Sequence, residues 1–164
     1  MDFTRAVTPH LNAAYALARW LVRDPVLAED VAQEAMLRAL RYFPSWRGGD
    51  ARPWLLQIVR NAAFDALRRR HGETHASLEE ADDMPSEETG PEDAALARET
   101  ALSVEAAIAR LPVRLRECIV LREFEEFSYR DIATVTGVPI GTVMSRLSRA
   151  RQTLARALEI HAAP

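Results

Sequence analysis

The chain has 164 residues, 48% of them hydrophobic, which is enough for one medium-sized domain or two small ones with packed cores. No apolar run approaches the ~20 residues that span a bilayer. Residues 1–23 also lack the uninterrupted apolar segment of a signal peptide. We therefore expect a cytoplasmic protein that does not insert into a membrane.

The formal net charge of −3 conceals an uneven distribution along the chain. Residues 1–71 hold 11 Arg and 7 acidic residues, and residues 106–164 hold 9 Arg and 6 acidic residues. Between them, residues 72–105 hold 1 Arg against 11 acidic residues. Two mildly basic blocks thus flank a strongly acidic one. All basic residues are Arg, which suits phosphate and base-edge recognition, although GC-rich coding explains an all-Arg set equally well.

The first block has the periodicity of amphipathic helices. Leu11, Tyr15, Ala18 and Val22 recur at spacings of three and four. Asp24–Pro25 ends that helix and starts the next, which is predicted to bury Val31, Ala35, Met36, Ala39 and Leu40. Pro44 ends the second helix, residues 45–50 have a loop composition, and Pro53 is predicted to open a third helix that runs to about Arg70.

The third predicted helix has two chemically different faces. The core face consists of Leu55, Ile58, Val59, Ala62 and Ala66. The opposite face carries Trp54, Gln57, Asn61, Phe64, Asp65 and Arg68. Aromatic rings beside Arg and amide groups suit stacking on unpaired bases. For Trp54 and Phe64 singly, packing on the preceding helices is an equally good interpretation.

Residues 72–95 contain Pro85, Gly90 and Pro91, many acidic residues and few large apolar ones. This composition predicts a flexible linker. Helical patterns return over residues 96–110, 113–125, 128–136 and 140–160, and no β pattern is evident. We therefore predict an all-α fold of two small helical domains joined by a flexible acidic linker.

The C-terminal block has the spacing of a helix-turn-helix. Ser128 and Asp131 form a capping box, and Gly137 stands four residues after Ala133, where the turn needs a residue that tolerates positive φ. Val143, six residues later, is predicted to pack back on the first helix.

The last predicted helix also divides into two faces. Ile140, Val143, Leu147, Ala150, Leu154 and Leu158 form the apolar face, and Thr142, Ser145, Arg146, Arg149, Gln152 and Arg156 form the polar one. Side chains of these polar types on a recognition helix read base edges and hold phosphates. The alternative is a solvated helix face beside a structural pair of helices.

Taken together and in order, five segments resemble the extracytoplasmic-function sigma factors, the small two-domain class of the sigma-70 family. The segments are Ala28–Glu34, Arg52–Arg70, Leu111–Pro112, Phe127–Ala133 and Gly141–Arg151. The resemblance implies a non-enzymatic protein that binds core RNA polymerase, directs it to −35 and −10 promoter elements and promotes DNA melting. It implies core-binding and −10 functions in residues 1–71, a linker over 72–95 and −35 recognition in 96–164.

The resemblance also implies roles for individual residues. Core polymerase is expected to contact Asp30, Gln33 and Glu34 through the clamp of its largest subunit. The −10 DNA is expected to contact Trp46, Arg47, Trp54, Asn61, Phe64, Asp65 and Arg68. The −35 DNA is expected to contact Thr142, Ser145, Arg146, Ser148 and Arg149; the family commonly has a basic residue where Met144 stands. The flap of the second-largest subunit and an anti-sigma factor are further expected partners, and the acidic linker either lies in a basic polymerase channel or is a solvated spacer.

Two other classes of protein are weighed against this interpretation. A one-component regulator would share the helix-turn-helix, but it needs a sensor domain and usually a two-fold dimer surface, for which the first block has no signal. An enzyme is disfavoured because no nucleophile–base set or glycine-rich phosphate loop occurs. His71 and His75 have a spacing seen in zinc sites, but no third ligand is evident. We expect no catalytic residues, metal or cofactor.

Overall fold

A computed structural model of the chain describes residues 2–72 and 100–162, with side chains over 2–72 and 104–159. Every regular element in these ranges is helical, as predicted. The α-helices are α1 (Phe3–Val7), α2 (Leu11–Val22), α3 (Pro25–Tyr42), α4 (Ala51–His71), α5 (Thr100–Ala109), α6 (Val113–Glu123), α7 (Tyr129–Thr136) and α8 (Ile140–Ala162). Most of the predicted linker lies outside the described residues.

Helices α2, α3 and α4 pack against one another and form the core of the N-terminal unit. Asp24 caps α3: one carboxylate oxygen accepts the N–H groups of Val26 at 2.9 Å and Leu27 at 3.2 Å. The Leu27 amide chiefly holds the pKa of Asp24 below its ordinary value, against a smaller opposing effect of burial. Asp50 caps α4 by accepting the Arg52 N–H at 3.0 Å, so this helix begins two residues before the predicted Pro53.

Most of the predicted core residues of α2 and α3 are buried, among them Ala18, Val22, Val31, Ala35 and Ala39. Leu11 and Leu40 were expected in the core, but both side chains are exposed. The core of α2 is formed by the predicted Ala18 and Val22 together with Ala14, Leu17 and Leu21. Both helices have apolar residues at more positions than one face can hold, so periodicity alone does not determine which of them face inward. The predicted core face of α4 is confirmed: all five of its residues are buried.

The C-terminal unit contains the predicted helix-turn-helix, formed by α7 and α8. The Ser128 hydroxyl oxygen accepts the Asp131 N–H at 3.0 Å and caps α7. Gly137 ends α7 in the left-handed region at φ +72°, and its N–H donates to the Ala133 carbonyl at 2.9 Å. Val143 is fully buried where α8 packs on α6 and α7, and Ile140, expected in the core, is exposed.

The two units dock on each other through α6 and α7, which contact α2 and α4. Arg116 is nearly fully buried at this interface. Its guanidinium donates to the Trp20 and Leu21 carbonyls at 2.7 and 3.0 Å, and to the Ala109 and Leu111 carbonyls at 3.1 and 2.7 Å. Carbonyls in the last turn of a helix have no partner within that helix, so an arginine of one unit completes a helix end of the other.

A two-pronged ion pair joins the same two units. Arg60 of α4 donates from Nε to Glu117 Oε2 at 2.9 Å and from Nη2 to Oε1 at 3.2 Å. Glu117 has no exposed surface, so it is held inside the protein by a matched guanidinium. Two aromatic contacts also join the units: Trp20 stacks on Phe124 with ring centroids 5.5 Å apart, and the Arg52 guanidinium lies 4.6 Å from the Phe127 ring centroid.

Candidate polymerase and promoter interfaces

One exposed stripe follows α3 along its whole length. It consists of Val26, Asp30, Gln33, Leu37 and Leu40, at successive spacings of four, three, four and three residues. The three apolar side chains in it are between 56% and 71% exposed. Apolar residues aligned with polar ones on an outer face are typical of a protein–protein interface. The predicted residues Asp30, Gln33 and Glu34 are all exposed on or beside this stripe, henceforth the α3 stripe.

Leu37 and Leu40 are candidate interface residues that the sequence interpretation missed. The helical periodicity assigns Leu40 to the core and gives Leu37 no role. Their spacing relative to Asp30 and Gln33, which continues a seven-residue pattern, is the signal that identifies them. The small residues Ala28, Ala35 and Ala39 fill the buried side of α3 instead, which lets this helix pack closely on its neighbours.

A row of alternating charges crosses from α3 to α4. Arg38 donates from Nε to Glu34 at 3.1 Å, and its Nη1 lies 3.0 Å from Asp65 Oδ2. The other oxygen of Asp65 accepts from Arg68. Burial lowers the pKa of Arg38, but the bonds to Glu34 and Asp65 outweigh it and hold that pKa above its ordinary value. The row thus links a predicted core-binding residue, Glu34, to the predicted −10 residues Asp65 and Arg68.

An aromatic cluster supports the loop between α3 and α4. Phe43 lies 5.5 Å from Trp46 and 6.4 Å from Trp54 between ring centroids, and the two Trp rings are 6.0 Å apart. Trp46 and Trp54 therefore pack on each other and are only partly exposed. Arg47 is exposed beyond them, next to two glycines at positive φ. The packed aromatic rings thus support a short loop that carries the Arg47 guanidinium.

The outer face of α4 is divided between exposed and covered residues. Asn61 is exposed, and Asp65 and Arg68 are partly exposed one and two turns further on. Phe64, predicted to stack on bases, is only 1% exposed. The guanidinium groups of Arg60 and Arg114 lie 4.0 and 5.0 Å from its ring centroid, so Phe64 is covered both by its own helix and by the docked C-terminal unit. In this arrangement Phe64 is inaccessible to DNA.

The polar face of α8 is at least partly exposed at its N-terminal end. Ser145 and Ser148 are exposed, and Thr142, Arg146 and Arg149 are partly exposed. Met144 stands among them, and half of its surface is exposed. The Ser145 hydroxyl donates to the Thr142 carbonyl at 3.0 Å. All five predicted −35 residues therefore lie on the surface or at its edge, at the end of the helix that enters a major groove in helix-turn-helix proteins.

Comparison with known proteins identifies both units. Residues 6–73 match Sigma-70 region 2, and residues 101–154 match Sigma-70, region 4. The chain is 40% identical over 147 residues to the RNA polymerase sigma-H factor of Pseudomonas aeruginosa, covering 84% of this chain and 76% of that protein. The chain belongs to the extracytoplasmic-function sigma factors of the sigma-70 family.

Other sigma factors are similar over nearly the whole chain. The ECF sigma factor SigM of Mycobacterium tuberculosis is 38% identical over 157 residues, which is 95% of this chain and 76% of SigM. Among solved structures, the sigma factor RpoE in complex with the anti-sigma factor NepR from Bartonella quintana is 27% identical. Its TM-score is 0.73, and the match covers 97% of this chain and 98% of that one. CnrH in complex with the cytosolic domain of CnrY has 25% identity and a TM-score of 0.66, with 96% and 88% covered.

The comparisons confirm several of the predictions made from the sequence. The fold consists of two sigma-70 domains, region 2 and region 4, and is all-α where it is described. The protein is a transcription initiation factor that directs RNA polymerase to promoters, and it is not an enzyme.

No described helix has the length and apolar character needed to cross a membrane. No cluster of three or more His, Cys, Asp or Glu side chains suited to a metal occurs among the described residues, and His75 lies outside them.

Proposed function

We propose that three separate surfaces of this sigma factor divide the work of initiation. The α3 stripe binds the clamp of the largest polymerase subunit through Asp30, Gln33 and Glu34, assisted by Leu37 and Leu40. The observation that carries this assignment is the alignment of exposed leucines with exposed polar residues on one helix face. A partner surface that covers these leucine side chains would remove their apolar surface from water, which is favourable.

The second surface is the outer face of α4 together with the loop before it, and it captures the −10 element. Asn61, Asp65 and Arg68 occupy one side of α4, and the aromatic cluster positions Trp46, Arg47 and Trp54 at the start of that helix. Partly exposed rings beside cations suit unstacked bases and their phosphates. Phe64 joins this surface only when region 4 has moved off α4.

The third surface is the N-terminal half of α8, which reads the −35 element in the major groove through Thr142, Ser145, Arg146, Ser148 and Arg149. Their exposure at the start of the second helix of a helix-turn-helix supports this assignment. We further propose that region 4 meets the flap of the second-largest subunit, and that the protein works in the cytoplasm. Residues 1–71, 72–95 and 96–164 are the proposed region 2, linker and region 4.

We also propose that an anti-sigma factor regulates the protein. The similar solved structure of the sigma factor RpoE from Bartonella quintana is a complex with the anti-sigma factor NepR. The α3 stripe and the start of α8 are exposed, so such a regulator would have to cover them to block the binding of polymerase and DNA.

The test is transcription in vitro with core polymerase and a promoter library. Core polymerase plus this chain should select templates with two conserved elements, and neither component alone should do so. A gel shift on the selected duplex without polymerase distinguishes the proposal from a one-component regulator, which binds its operator alone. Tight duplex binding by the free chain, with no selection by the holoenzyme, would contradict the proposal.

A further inference from the structure

The charge row between α3 and α4 joins two of the proposed surfaces through one arginine. Arg38 is four-fifths buried between the helices, and it contacts Glu34 on the α3 side and Asp65 on the α4 side. A planar guanidinium can bind two carboxylates at once because its donors point in fixed directions. Glu34 and Asp65 therefore share one cation.

Sharing one cation makes the two carboxylates compete for it. When Glu34 meets a donor or a positive group on a partner, part of its charge is neutralised by that partner. Arg38 then interacts more strongly with Asp65, because the attraction from the opposite side has weakened. Asp65 lies beside Asn61 and Arg68, where a polyanion is proposed to bind, and an under-neutralised carboxylate repels phosphate.

We propose that Arg38 is a positioning residue that couples polymerase binding on α3 to −10 DNA binding on α4. The inference rests on the proposed function, since it assigns Glu34 to the polymerase surface and Asp65 to the DNA surface. Binding of polymerase shifts Arg38 towards Asp65, lowers the negative potential on α4 and strengthens the hold on −10 DNA. Because such coupling is reciprocal, −10 DNA must strengthen polymerase binding by the same factor.

The experiment measures that factor directly. Core polymerase is titrated with the full-length chain, with and without a saturating single-stranded oligonucleotide that carries the −10 sequence selected in vitro. The ratio of the two Kd values is the coupling factor, which for linked sites is typically about 5- to 150-fold. In Arg38→Gln the ratio should fall by about threefold or more, and the Kd measured without oligonucleotide should stay within about twofold of the wild-type value.

Asp24→Asn is the matched control. It weakens the ion pair between Asp24 and Arg70, which also ties α3 to α4 at 2.6 Å, and asparagine retains the helix cap. It leaves Glu34, Arg38 and Asp65 unchanged, so its coupling factor should equal that of the wild type. Circular dichroism and thermal unfolding establish that both variants are folded before the ratios are compared.

Four results bear on the inference. Loss of coupling in Arg38→Gln alone supports it. An unchanged ratio in that variant, or equal loss in Asp24→Asn, overturns it, because the link is then absent or is general stiffness between the helices. A clearly higher Kd of Arg38→Gln for core polymerase in the absence of oligonucleotide also overturns it, because Arg38 would then belong to the polymerase contact itself. A wild-type chain that fails to bind core polymerase would instead contradict the proposed function.

Discussion

At the scale of single residues, the same side-chain chemistry has different consequences in different surroundings. Phe64 and Met144 are both apolar residues on faces proposed to meet DNA, yet Phe64 is covered by two guanidinium groups and Met144 is open. An aromatic ring attracts cations through its face, and the arginine-rich composition supplies them. In the docked arrangement Phe64 is therefore covered by the protein itself, whereas the Met144 side chain is available to contact DNA.

Met144 should contact the methyl group of a thymine in the −35 element. Apolar side chains in the major groove recognise thymine through its C5-methyl group, which the other bases lack. Met144→Ala should weaken holoenzyme binding to the preferred promoter by roughly threefold to fivefold, the value of about one buried methylene. The measurement is binding to −35 sequences in which each thymine is replaced in turn by deoxyuridine. If every thymine replacement that weakens binding by the wild-type holoenzyme also weakens binding by the Met144→Ala holoenzyme, Met144 makes no such contact.

Two glycines near the helix-turn-helix should respond to alanine with opposite signs. Gly137 has φ +72°, so Gly137→Ala should lower the free energy of unfolding by about 1–2 kcal/mol through backbone strain, since open space surrounds the added methyl group. Gly141 lies within α8, and a Cβ added there would also have no neighbour within 4 Å. Gly141→Ala should therefore raise the free energy of unfolding by about 0.5–1 kcal/mol. Urea unfolding of both variants checks this. Equal effects would mean that the turn conformation at Gly137 imposes no constraint.

At the scale of helices, α3 shows how one element serves the core and the surface together. Its alanines lie against α2 and α4, and its larger apolar side chains at Leu37 and Leu40 face outward. A helix that buries small residues packs closely and costs little side-chain entropy. The larger residues are therefore available for a partner without loss of the internal core.

Leu37→Ala combined with Leu40→Ala should weaken core polymerase binding by roughly 10-fold or more, because apolar surface that a partner covers contributes about 25 cal/mol per Å². The unfolding midpoint should hardly change, since both side chains are more than half exposed in the free protein. A polymerase pull-down and a thermal melt provide the two measurements. Leu11→Ala, an exposed leucine on α2, is the control and should bind normally. Normal binding by the double variant would remove these leucines from the interface.

Helix positions and most buried positions were predictable from the sequence, whereas the exposure of single apolar residues was not. Proline and capping residues located the starts of α3 and α7, because their backbone preferences are local. The exposure of Leu11, Leu40 and Ile140 was not foreseen, since it depends on which neighbour each helix meets. Docking of the units was also unforeseen: Arg60, Arg116 and Glu117 look like ordinary solvated charges until their partners, far away in sequence, are known.

At the scale of the whole molecule, the docked arrangement and the promoter differ in size. Elements centred near −10 and −35 lie roughly 25 base pairs apart, which is about 85 Å of duplex at 3.4 Å per pair. A compact chain of 164 residues has a radius of gyration of only about 15 Å. Region 4 must therefore leave region 2 before both elements are held, and this uncovers Phe64.

Glu117→Gln should shift the protein towards the separated arrangement. It removes the negative partner of Arg60 from a fully buried site, and breaking such a pair commonly costs about 3–5 kcal/mol. The radius of gyration from small-angle X-ray scattering should rise above that of the wild type. Glu123→Gln is the control on the same helix, because Glu123 pairs with Arg151 within region 4 and is half exposed. A Glu117→Gln protein as compact as this control would show that the ion pair does not hold the units together.

The stacking of Trp20 on Phe124 gives the protein an optical signal of its own. The chain has three tryptophans, and the ring neighbours of Trp46 and Trp54 are Phe43 and each other, all within region 2. Trp20 has a ring neighbour from the other unit, Phe124, at 5.5 Å and nearly parallel, and no other tryptophan has one among the described residues. When the units part, its indole passes from a protein surface into water while the other two keep their surroundings. The emission spectrum of the unlabelled protein should therefore shift to longer wavelength as polymerase or DNA draws the units apart.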